Sequence, residues 1–128
     1  MLPKIALCLS ALGFLGFGVA ALIAPVAMMA GVDLVLVDPR AIVEIRSFYG
    51  GLGISLGILL LLSLQAKYQT AGLILGCVSY LGIALARIFG MLMTATSSNF
   101  LWIALTTEIV FVLLCGLAWW RQRTRSVS

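Results

Sequence analysis

Four apolar stretches, at 5–24, 41–64, 71–93 and 100–120, occupy most of this chain. Each matches the roughly 20 residues that carry a helix across the hydrocarbon core of a bilayer. Lipid offers a backbone no hydrogen bonds, so segments of this kind satisfy their own amides by forming helices. The fold class expected is therefore all-α: an integral membrane four-helix bundle forming a single domain over 1–128. Composition agrees, since 63% of residues are hydrophobic and only 9% are charged. A soluble domain carries about 25% charge to cover its water-facing surface.

The breaks between the stretches carry turn chemistry. Asp38-Pro39 reads as a helix start, with a capping side chain followed by proline at the first helical position. Residues 65–70 form a short polar turn holding Lys67, and residues 94–99 a second turn without charge. The first stretch follows Lys4 and has small residues near Ala20 and Ala21, as a cleaved signal peptide would. Its apolar run is longer than a signal core, which favours a retained span.

Orientation follows from the basic residues. Lys4, Lys67, Arg121, Arg123 and Arg125 fall on one side. Arg40 and Arg46 fall near the other, where Asp33, Asp38 and Glu44 offset them. Basic residues accumulate on the cytoplasmic side, so both termini are expected there, in a bacterial inner membrane. Trp119 and Trp120 suit the inner interface and Trp102 the outer one.

Several function classes are disfavoured. The net charge of +4 lies at chain ends and between spans, with no basic face for nucleic acid. The chain has no His, the commonest metal and haem ligand, and Cys8, Cys77 and Cys115 all lie inside apolar runs without a CxxC pair. No metal, cofactor or catalytic residue is therefore assigned.

Small residues at helical spacing mark the faces where membrane helices approach one another. Span one offers Gly16, Ala20 and Ala24. Span two offers Gly50, Gly53 and Gly57. Span three offers Gly72 and Gly76, then Gly82, Ala86 and Gly90. Glycines on three spans favour packing inside the bundle over dimerisation through one GxxxG pair.

Charges within spans are rare, costing about 2.5–3.5 kcal/mol at mid-span on an insertion scale. Arg87 in span three and Glu108 in span four are two such charges. They stand at nearly equal distances from the turn between those spans, which at about 1.5 Å per residue sets both about 12–15 Å below its tip. An ion pair is expected. Glu44, Arg46 and Tyr49 enter from the same side on span two, so five polar side chains are expected to converge in the outer half: Glu44, Arg46, Tyr49, Arg87 and Glu108. The cluster reads either as a lock on helix register or as the lining of a ligand or proton site.

The run Glu44-Ile45-Arg46-Ser47-Phe48-Tyr49-Gly50-Gly51, with Gly53 and Gly57 following, resembles the E-I/L-R-x-x-Y-G-G-L-x-x-x-x-G segment of a bacterial four-helix membrane family, domain of unknown function 4345. Pro25 and Gly31 resemble the proline and glycine after that family's first helix. Arg87 and Glu108 resemble its third-helix arginine and fourth-helix glutamate. The architecture is more loosely similar to DoxX-like proteins, some of which are small subunits of quinone-linked oxidoreductases. The resemblance implies four helices and the polar cluster as a unit, and implies no reaction.

Two functions fit. One is an accessory or structural subunit of a larger membrane complex, held to a membrane-protein partner by packing. The other is a binder or transporter of a lipid- or quinone-like molecule, with Arg46 and Tyr49 at its head. An enzymatic reading would need Glu44 or Glu108 freed from arginine to act as a base, and no nucleophile stands beside a base.

Overall fold

The computed structural model describes residues 1–125, with side chains through Thr124. Arg125, counted above among the basic residues, therefore lies outside the described side chains. The elements are α1 (Leu2–Ile23), α2 (Pro25–Ala30), α3 (Pro39–Glu44), a π-helical segment (Ile45–Gly51), α4 (Leu52–Leu62), α5 (Gln69–Thr94) and α6 (Asn99–Arg125). Among the described residues, four helices are long and apolar enough to cross a membrane: α1, the continuous run Pro39–Leu62, α5 and α6. The protein is an all-helical, multi-pass membrane protein. An even number of crossings leaves both termini on one side, together with Lys4, Lys67 and Arg121. This is called the basic end here, and the opposite one the far end.

Local chemistry sets the breaks. A residue preceding proline is pushed out of the α region, and Ala24 before Pro25 has φ −130° and ψ 57°. The chain then turns helical again over Pro25–Ala30, where the sequence suggests only a connection. Asp38 caps the second span as expected, its carboxylate accepting the Arg40 N–H at 2.8 Å. The Arg40 side chain beside it holds that carboxyl below its usual pKa. At the end of α5, Ala95 takes the left-handed conformation (φ 49°) and its N–H reaches the Met91 carbonyl, so the last turn closes without a glycine.

Helix α1 is the hub. The second span packs along it, α5 and α6 pack along each other, and α1 also touches both α5 and α6. The four-helix core lies toward the basic end, built from Leu7, Ala11 and Phe14 of α1, Leu60 of α4, Leu73 and Tyr80 of α5, and Cys115 of α6. An aromatic layer forms its upper boundary. The Tyr80 ring stands 4.6 Å from Phe14 and 4.6 Å from Phe111, parallel to the latter within 10°.

Glycines let the backbones meet. A Cβ on Gly53 would lie 3.0 Å from the Gly18 Cα and 3.2 Å from the Phe14 carbonyl oxygen. Gly50 is equally close to the backbone of Leu22, and Gly57 faces Leu15 and the Ala11 carbonyl. Gly72 abuts Ser63, and Gly76 abuts Cys115 Sγ.

Two of the small-residue stripes read from the sequence lie elsewhere. The contact face of α1 runs through Ala11, Phe14, Gly18 and Ala21, whereas Gly16, Ala20 and Ala24 are exposed. On α5, a Cβ on Gly82 or Gly90 would meet nothing within 4 Å, and Ala86 is exposed. At 3.6 residues per turn the two faces lie more than 90° apart around each helix, so these stripes point away from the contacts that Phe14 and Tyr80 make.

Candidate functional site

Arg87 sits on α5 one turn or more beyond Tyr80 and Ala84, on the face directed into the bundle (spacing i, i+4, i+7). Glu108 sits on α6 opposite. The Arg87 Nε donates to both Glu108 carboxylate oxygens at 3.0 Å, and Nη2 donates to Oε1. The carboxylate is 9% exposed and the guanidinium side chain 22%. Each charge offsets the desolvation of the other, and the forked geometry holds α5 and α6 in one register.

The other three polar residues do not join them. The π-helical segment that carries Arg46 and Tyr49 packs on α1. Arg46 Nε donates to the Leu22 carbonyl at 3.1 Å, and the Tyr49 ring lies 5.9 Å from that of Phe17. Glu44 is exposed. The expected convergence of five residues is corrected to one pair between spans three and four and a separate contact between spans one and two. The π segment is one reason, since its extra residue per turn changes the helical phase of everything before it. The Gly50–Gly53–Gly57 face is the other, because it commits the second span to α1.

Arg46 has a definite task. The last carbonyls of a helix have no intrahelical donor, and Pro25 ends α1 just beyond Leu22. The guanidinium supplies that donor and places positive charge at the negative end of the helix dipole. Arg46→Leu is expected to lower stability by about 1 kcal/mol, measured as thermal unfolding of the helical signal in mild detergent. An unchanged melting curve would remove this role.

Beyond the ion pair, an open groove of about 370 Å³ runs toward the far end. Arg87, Gly90, Met91 and Thr94 line it from α5, Thr96 from the turn, and Leu101 from α6. Both threonine hydroxyls donate to nearby backbone carbonyls, Thr94 to Gly90 and Thr96 to Thr94. The Arg87 Nη1 amino group has no hydrogen-bond partner among the described residues. Of these groove residues the sequence singles out Arg87 and Gly90 alone; the only signal for the others is that Met91 and Thr94 follow Arg87 one and two turns on.

Nor did that reading single out Tyr80 or Ser10. The Tyr80 hydroxyl donates to the Ser10 carbonyl at 3.3 Å, and Ser10 Oγ lies 3.3 Å from Cys115 Sγ. These buried bonds tie α1 to α5 and α6.

A four-helix membrane protein with a buried arginine–glutamate pair is the class that fold and site define. The chain belongs to the family described as domain of unknown function (DUF4345), whose model matches residues 2–120. No curated protein and no solved structure matches it.

Proposed function

We propose that this protein binds an amphiphile with an uncharged, oxygen-bearing head, of lipid- or quinone-like type, in the groove beside Arg87. The unengaged Nη1 amino group carries the reading. It offers two N–H donors from within an apolar segment, and a carbonyl or hydroxyl oxygen is their natural acceptor. The Arg87–Glu108 pair is electrically neutral as a unit, so the head need not be an anion. A groove of this volume falls within the range of small-molecule sites. The same reading puts both termini in the cytoplasm and the groove in the outer half of a bacterial inner membrane.

A short-chain benzoquinone, titrated into the purified protein in mild detergent, is expected to raise the melting temperature. Met91→Trp fills the groove without touching the ion pair and should abolish that rise. No rise in the parent, or an equal rise in the variant, would defeat the proposal.

An accessory role in a larger complex has its own support. Gly82, Ala86 and Gly90 form a face of small residues that nothing among the described residues covers, where another protein's helix can approach closely. Purification in mild detergent decides it: a stoichiometric companion supports this role, and a lone monodisperse species counts against it.

A further inference from the structure

A second groove, of about 520 Å³, lies at the basic end between α4 and α5. The two helices touch where Gly72 meets Ser63 and Gly76 approaches Leu60. Leu59, Leu62, Ala71 and Leu75 wall the groove beside these contacts, and Gln65 and Tyr68 stand at its mouth. The walls are apolar and come from two of the candidate membrane spans, with Leu59 and Leu62 about half exposed. The mouth is polar. Lys67 adjoins the lining residue Tyr68, and its ammonium lies 5.3 Å from the centre of the Tyr68 ring, a cation–π distance that keeps the charge beside the groove.

The charge balance at this end is one-sided. The four acidic residues of the chain are Asp33, Asp38, Glu44 and Glu108, and all lie in the far half or beyond it. Lys67 has no acidic partner among the described residues. Lys4 and Arg121 share the same end.

The geometry points to a binding site for one anionic phospholipid, its acyl chain lying along Leu59, Leu62 and Leu75 and its phosphate on Lys67 and the Tyr68 hydroxyl. The site is separate from the groove beside Arg87 and does not depend on it.

Native mass spectrometry tests this on the full chain, released from micelles holding equal amounts of phosphatidylglycerol and phosphatidylcholine. The parent is expected to retain one phosphatidylglycerol in preference to phosphatidylcholine. Lys67→Gln should lower that preference about fivefold, the effect of one basic residue at a membrane surface. Ala71→Phe, which fills the groove, should remove the retained lipid. Lys4→Gln takes away the same charge elsewhere at this end and should leave retention intact, as should Met91→Trp in the other groove. Equal retention of the two lipids by the parent would overturn the site. So would a loss in Lys4→Gln as large as in Lys67→Gln, which means diffuse attraction. Full retention in Ala71→Phe would do the same. If Ala71→Phe fails to fold, the contrast between the two lysine variants decides.

Discussion

Replacing Arg87 by Met is expected to destabilise the protein by about 3–5 kcal/mol, the usual consequence of leaving one member of a buried ion pair alone. Glu108 would keep its carboxylate among apolar side chains with its three hydrogen bonds gone. Glu108→Leu should cost less, because the Arg87 side chain is more exposed and lines a groove through which its charge can reach the far end. The double variant Arg87→Met with Glu108→Leu should recover most of the loss, since two apolar side chains of similar size can replace a buried pair at little net cost. Denaturation of the four proteins in mixed detergent micelles measures this cycle. If the single variants are as stable as the parent, the pair does not hold the α5–α6 register.

The second large effect lies in the contact between α1 and the second span. Gly53→Leu is expected to cost about 3 kcal/mol, the upper part of the overpacking range. Its Cβ alone would press on the Gly18 backbone, which has no side chain to move aside. Gly82→Leu is the matched control. It adds the same group to the same kind of helix, but into open space, and should change stability by no more than about 0.5 kcal/mol. Equal losses in the two variants would mean that the close approach to Gly18 does not set the cost, since helix propensity favours leucine over glycine at both sites. Gly53→Leu that remains stable but changes oligomeric state would instead assign this glycine to a contact between copies.

The contrast between these sites shows what a sequence of this type makes legible. Depth in the membrane follows from counting, because a helix rises by a fixed amount per residue, so Arg87 and Glu108 can be matched across their turn without a structure. Neighbourhood does not follow from depth. Arg46 stands on the same side of the membrane as the pair, yet it bonds to α1, because the choice of partner helix rests on backbone fit along Gly50, Gly53 and Gly57. Those glycines announce a contact face and not the helix it meets. The π segment adds a second loss, since its altered phase is invisible to any reading that assumes a uniform helical period. The stripes Gly16–Ala20–Ala24 and Gly82–Ala86–Gly90 fail differently. Small size marks where a helix can approach, whereas the buried faces run elsewhere, through Phe14 and Gly18 on α1 and through Gly76 and Tyr80 on α5. The groove beside Arg87 was hidden because its lining is ordinary, and only the unengaged Nη1 distinguishes it.

That α1 touches all three other spans bears on how the bundle comes together. It precedes them in the chain, so during synthesis each later helix enters the bilayer with its docking surface already present. The second span meets Gly18 as soon as it arrives, and α5 and α6 can close as a hairpin before settling on Ser10 and Phe14. No span has to wait unpaired for a distant partner. Moving α1 to the other end of the chain by circular permutation would leave every static contact available while removing that order, and any loss of yield would measure what the order of arrival contributes.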